Sequence, residues 1–162
     1  MWITELQVDN FGGLRDLSLE FDTGFNLIHG ENETGKSTLM SFIRAMFYGM
    51  TGNARSIAEN ERKHWLPWGQ DKMGGWLNFT HNNCLYRIER SFGKTKRLDT
   101  VNLRDNLTGE LISVPGKNEI GEWLFGVAEA EFINTVFIRQ LASAEVFAED
   151  NTQAKLANLA ST

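Results

Sequence analysis

The sequence predicts an α/β fold: a mixed sheet of N-terminal strands around one amphipathic helix, an antiparallel hairpin layer and a small helical segment. Three observations predict it. The apolar run "GFNLIH", residues 24–29, leads into a glycine-bearing loop. After that loop, Leu39, Phe42, Ile43, Met46 and Phe47 recur at the i, i+3, i+4, i+7 spacing of a helix face. Further on, "GWLNFTH" and "CLYRIERSF" flank Asn82-Asn83, the composition and turn chemistry of a hairpin.

The elements follow in order. "WITELQV" (2–8) and "LRDLSLEF" (14–21) read as strands; in the second, Leu17, Leu19 and Phe21 alternate with Asp16, Ser18 and Glu20. "DNFGG" between them is turn chemistry, because Asn and Gly tolerate positive φ. Residues 24–29 are expected as a short buried strand, and Gly49 as the stop of the helix. Residues 50–75, polar and containing "HWLPWG", read as a long loop. After the hairpin come a strand near "DTVNLRD" and the turn "NLTGE". Ile120, Trp123, Leu124 and Val127 mark one short helix, Phe132, Ile133, Val136 and Phe137 another, and a polar helical stretch runs from about Ser143.

Composition narrows the class. A chain of 162 residues with 41% apolar and 23% charged residues fits one ordinary globular domain. No apolar run approaches the ~20 residues that cross a bilayer, and "MWITELQVDN" lacks the pattern of a signal peptide. Together with a single cysteine, Cys84, this leads to the expectation of a cytoplasmic protein without membrane contact. The net charge of −5 gives no global reason to expect nucleic-acid binding. Arg87, Arg90, Lys94, Lys96 and Arg97 do gather locally, which reads either as a solvated hairpin rim or as a phosphate-facing patch. His29, His64 and His81 lack metal-ligand spacing.

The loop carries the chemistry. Gly30-Glu31-Asn32-Glu33-Thr34-Gly35-Lys36-Ser37 matches G-x-x-x-x-G-K-[ST], the P-loop pattern. Backbone N–H groups can wrap a phosphate chain only where side chains do not obstruct them, so glycines bracket the turn. The helix that follows aims its N-terminal N–H groups at the same anion. Lys36 is placed to reach the β- and γ-phosphates, Ser37 to ligate Mg²⁺, and Thr38 to donate on the α-phosphate side. The expected ligand set is Gly30, Asn32, Glu33, Thr34, Gly35, Lys36, Ser37 and Thr38, holding ATP and Mg²⁺. The bare pattern arises by chance in roughly half a percent of chains this long, and here it also sits between an expected strand and an amphipathic helix.

What is missing narrows the function further. No guanine-reading Asn-Lys-x-Asp motif is present, and no run of four apolar residues after the loop ends in Asp. A compact kinase or GTPase carries such a Mg²⁺-supporting acid itself. The site is therefore either a pure binding module or half of one completed elsewhere.

The order "LQVDNFGGLRDLSLEFDTGFNLIHGENETGKSTLMSFIRAMFYG" resembles the start of SMC-like, SbcC/RecF-type ATPases, and most resembles their YhaN-like branch. The later "EFINTVFIRQ" resembles that group's Q-loop. The resemblance implies the N-terminal lobe of an ABC/SMC-like head (residues 1–142), with residues 143–162 as the start of a truncated coiled coil. It implies a Mg²⁺ and attacking-water role for Gln140, which read alone is a strand-end glutamine capping backbone. Lys36 and Gln140 are then the catalytic pair, and Ser37 and Gln140 the metal ligands. It implies as partners the protein's own C-terminal ATPase lobe and a second head engaged across ATP, with DNA and an SbcD-like nuclease subunit as further candidates. The implied function is ATP binding, and hydrolysis in the complete protein, within DNA repair or chromosome maintenance. The alternatives are a nucleotide-controlled DNA clamp without useful turnover and a P-loop metabolic kinase. Two departures stand out. Many relatives have glycine where this chain has Glu33, and "GGL" intervenes before Arg15, so Arg15 is not assigned to phosphate.

Overall fold

The computed structural model describes residues 1–50, 60–67, 72–114 and 119–135. The chain divides into two compact units, Met1–Gly126 and Val127–Thr162. The expected boundary at 142 lies outside the described residues.

In the first unit β1 (Trp2–Phe11) turns at Gly12-Gly13 into β2 (Leu14–Glu20). The turn is tighter than "DNFGG" suggested, because Asn10 and Phe11 remain in the strand and Gly12 alone takes positive φ, +57°. Helix α1 (Lys36–Tyr48) follows the P-loop, and the short α2 (Glu61–Trp65) comes next. The hairpin β3 (Met73–His81) and β4 (Cys84–Phe92) turns at Asn82 and Asn83, with φ of 49° and 62°. Both residues are left-handed, the signature of the tight turn that matches strand twist. A single 3₁₀ turn at Lys96–Leu98, β5 (Thr100–Asp105) and α3 (Ile120–Phe125) complete the unit. Helix α4 (Glu129–Thr135) belongs to the second unit.

The strands form one five-stranded sheet in the order β2-β1-β3-β4-β5, every neighbouring pair antiparallel. The α/β class stands, but three details change, the first being that the sheet expected to be mixed is antiparallel throughout its described strands. The hairpin is not a separate layer: β1 offers its second edge to β3, so the hairpin extends the N-terminal sheet. Nor are residues 24–29 a buried strand. They have no strand assignment, and Phe25 and Leu27 are 91% and 77% exposed. Local bonds compete there: the Asn26 side chain accepts from the Asp22 N–H at 3.0 Å and donates to the Asp22 carbonyl at 2.9 Å, closing a turn just after β2.

One face of the sheet carries Leu6, Val8, Phe11, Met73, Leu77, Phe79, Ile88, Phe92 and Leu103, all buried. Helix α1 covers this face. Phe42 meets Phe11 edge-on at 5.5 Å, and Phe47 meets Phe79 at 5.6 Å and Phe125 of α3 at 5.3 Å. Truncating such a core phenylalanine costs about 3–5 kcal/mol. Gly49 stops α1 in the left-handed region, φ 78°, as expected. Ile43, expected on the buried face, is only half-buried, whereas Arg44 is buried by an ion pair to Glu61 of α2.

Candidate nucleotide-binding site

The site begins with the backbone between β2 and α1. Gly35 caps α1 with φ 93°, and a Cβ there would lie 2.6 Å from the Leu14 side chain. Gly30 faces a similar limit, since its Cβ would meet the Thr34 hydroxyl at 2.7 Å. A side chain at either glycine would have to displace one of these neighbours, and at Gly35 the backbone angle also favours glycine. Thr34 locks the turn by donating to the Glu31 carbonyl at 2.9 Å.

Lys36 folds back over this loop, and its ammonium donates to the carbonyls of Gly30 at 2.7 Å and Glu31 at 2.5 Å. An ammonium has three donors, so the loop orients the cation and leaves it a further proton to direct at an anion. The first turn of α1 is unusual in two ways. No side chain caps it, and it contains no acidic residue, while its first residue is a lysine. A cation at a helix N-terminus opposes the helix dipole, and the first N–H groups have no intrahelical partner. A bound phosphate resolves both conflicts at once. The residues present therefore fit a polyphosphate.

The other expected ligands lie on the same short stretch. Asn32, Glu33, Thr34 and Ser37 are exposed, and Thr38 is half-buried. Glu33 sits at φ 67°, a left-handed angle that glycine adopts at least cost. This supplies a physical reason for glycine to be favoured at that position. Gln140 lies outside the described residues, as does the polar stretch from Ser143.

The chain matches the AAA domain family over residues 5–161. It belongs to that family. Its expected place as an N-terminal head lobe of the SMC-like, RecF-type P-loop ATPases stands with it. The chain is 30% identical over 156 residues to the DNA double-strand break repair Rad50 ATPase of Archaeoglobus fulgidus, covering 95% of this chain and 16% of that one. It is 47% identical over 110 residues to the Septu protein PtuA of Bacillus thuringiensis, covering 68% and 26%. Among solved structures, one of the recombination mediator protein RecF with ATP, in the RecFOR pathway, aligns with a TM-score of 0.51 at 25% identity, over 76% of this chain and 30% of that chain. The chain therefore spans only about a sixth of the Rad50 relative's length.

Around the P-loop of this lobe the structure adds one element that the sequence reading passed over. Residues 61–65 lay in the expected loop but form α2, capped by the Asn60 side chain, which accepts from the Lys63 N–H at 3.2 Å. The signal was present: Asn60 followed by Glu61 is N-terminal cap chemistry. Arg62 anchors α2 through a two-pronged ion pair to Asp99 at 2.7 and 2.6 Å and a bond to the Met50 carbonyl at 2.9 Å. The backbone N–H of Gly12 donates to the Trp65 carbonyl at 2.8 Å, which ties α2 to the β1–β2 turn.

The basic segment does not form one patch. Arg87 and Arg90, three apart on β4, point to opposite faces. Arg87 lies 3.9 Å over the Trp76 ring and pairs with Glu89 at 3.2 Å. Arg90 is buried and pairs with Glu119 at 3.1 Å; burial lowers its pKa, partly offset by that carboxylate. Lys96 is mostly exposed yet shares Glu119 at 3.1 Å. The resulting arrangement is one internal ion pair and one mixed-charge surface.

Proposed function

We propose that this lobe binds ATP with Mg²⁺ and is the phosphate-holding half of an ATPase head acting in DNA repair or chromosome maintenance. The observation that carries the reading is the uncapped, acid-free N-terminus of α1 beneath a lysine held by the carbonyls of Gly30 and Glu31. Backbone N–H groups of residues 30–38 wrap the phosphates, Lys36 meets the β/γ oxygens, and Thr38 donates on the α side. Ser37 and Gln140 would hold Mg²⁺, which would supply charge neutralisation to phosphoryl transfer. Gln140 orients the attacking water. The catalytic acid and base come from a C-terminal lobe, and a second head closes the site. DNA and an SbcD-like nuclease are the partners that this reading assigns to the assembled, cytoplasmic protein. The DNA double-strand break repair Rad50 relative supports the repair setting by its name.

Lys36→Ala tests the site. Removing a charge-assisted contact of about 1.5–3 kcal/mol lowers ATP affinity by one to two decades. Titration of a fluorescent ATP analogue into the folded variant reads the loss, and unchanged affinity removes Lys36 from the site.

A further inference from the structure

Two side chains far apart in sequence converge on Gly12. A Cβ built there would lie 3.0 Å from the Thr38 methyl and 3.0 Å from the Trp65 ring. The Trp65 ring is fixed from its other contacts: it stacks on Phe11 at 5.4 Å and 24°, and His64 meets it edge-on at 4.4 Å. Its backbone is fixed as well, since the Trp65 carbonyl accepts from the Gly12 N–H. The buried Arg62–Asp99 pair holds the helix that carries it. The Thr38 methyl and the Trp65 ring thus border the same point over Gly12, and α2 and the β1–β2 turn hold the ring there.

A threonine in a helix divides between two χ1 rotamers, because its hydroxyl can turn back to a carbonyl three or four residues earlier. In the first turn of α1 that alternative draws the donor away from an anion above the helix. We propose that Trp65, acting with the bare backbone of Gly12, is a positioning residue for the nucleotide: it confines the Thr38 methyl and so fixes the hydroxyl toward the α-phosphate. A side chain at Gly12 would press on both the ring and the methyl, and its φ of +57° favours glycine as well. The inference rests on the P-loop reading, and it predicts that the Thr38 methyl, not only its hydroxyl, contributes to affinity.

A double-mutant cycle tests it on the full 162-residue chain, with a fluorescent ATP analogue as probe. Thr38→Ser keeps the hydroxyl and removes the methyl. It is expected to weaken binding about three- to tenfold, the worth of one hydrogen bond that is no longer held in place. Trp65→Ala is expected to weaken it similarly, and Trp65→Phe to restore most of the loss. In the Trp65→Ala background Thr38→Ser is expected to cost less than twofold more, because the methyl then has no wall to meet. Additive losses overturn the proposal, as does a Thr38→Ser protein that binds like the parent. Should Trp65→Ala not fold, Trp65→Leu takes its place in the cycle with the same expectations. A parent chain that does not bind the probe, or a Lys36→Ala change without effect, overturns the P-loop reading itself.

Discussion

Glu33 shows how far one residue in the loop can be argued. Its φ of 67° is a left-handed angle that a residue with a Cβ occupies at a cost of about 1–2 kcal/mol. Glycine removes that cost but brings back about 0.5–1 kcal/mol of backbone entropy. The second only partly offsets the first, so Glu33→Gly should raise the urea midpoint, by a gain of no more than about 1.5 kcal/mol. Its carboxylate, exposed beside the phosphate site, should matter more to binding. Screened by water at on the order of 8 Å, one such repulsion is worth about twofold in affinity. Glu33→Gln and Glu33→Gly are therefore both expected to tighten ATP about twofold. If only the glycine variant tightens binding, backbone conformation and not charge is the limiting factor. Asp105 gives a second residue-scale test. The backbone N–H groups of Thr108 and Leu107 hold its carboxyl below its ordinary value. A depressed folded value means the contribution is present above the unfolded value of about 3.9 and is lost as pH falls through the folded one. Asp105→Ala should thus lower the melting temperature at pH 7, and the gap should close as the pH drops below about 4.

At the scale of elements, charge stitches together what the sheet does not. The Arg62–Asp99 pair is largely buried, with bonds of 2.7 and 2.6 Å, and Asp99 also accepts from the Gly93 N–H at 2.9 Å. Removing one member leaves a buried charge without compensation, which costs about 3–5 kcal/mol. Asp99→Ala should shift the urea midpoint strongly. Glu89→Ala, which breaks the solvent-accessible pairs with Arg87 and Arg104, should cost no more than about 1 kcal/mol. Equal shifts from the two variants are the result that contradicts this ranking. The same elements show what was legible in the sequence. Helix α1 and the β3–β4 hairpin were, because periodicity and turn chemistry are local. The P-loop was, because its residues are contiguous. Helix α2 was legible only in its Asn60-Glu61 cap: five residues are too few to show a period, and Arg62 reaches Asp99 far along the chain. The convergence of Gly12, Thr38 and Trp65 left no sequence signal, since three separate elements supply it. Residues 24–29 depart from expectation because a short apolar run announces a strand but not whether an edge is present to pair with it.

At the scale of the molecule, that unpaired run becomes the sharpest test of the split-head proposal. Phe25, Leu27 and Ile28 are 91%, 77% and 45% exposed immediately before the loop that would hold phosphate. The proposed reading puts the catalytic acid and base on a C-terminal lobe, and docking of that lobe here would cover these side chains. Burying one leucine is worth about 1.5–3 kcal/mol, so a charge placed there should weaken lobe association by at least a decade. Leu27→Asp should therefore leave the melting temperature of this chain almost unchanged, because Leu27 already meets water. ATP binding should survive as well, since Lys36 and the α1 N-terminus do not depend on that side chain. The isolated lobe should hydrolyse ATP negligibly in either form. Joined to the C-terminal lobe through a short linker, the parent should gain orders of magnitude in turnover, because losing one phosphoryl-transfer stabiliser can cost 10³-fold or more. Turnover should also rise faster than linearly with concentration if a second head completes each site. The joined Leu27→Asp protein should lose most of that gain. Gln140→Ala should retain ATP affinity and lose turnover. Robust, concentration-linear hydrolysis by residues 1–162 alone, indifferent to Leu27 and Gln140, is the outcome that sinks the split-site reading.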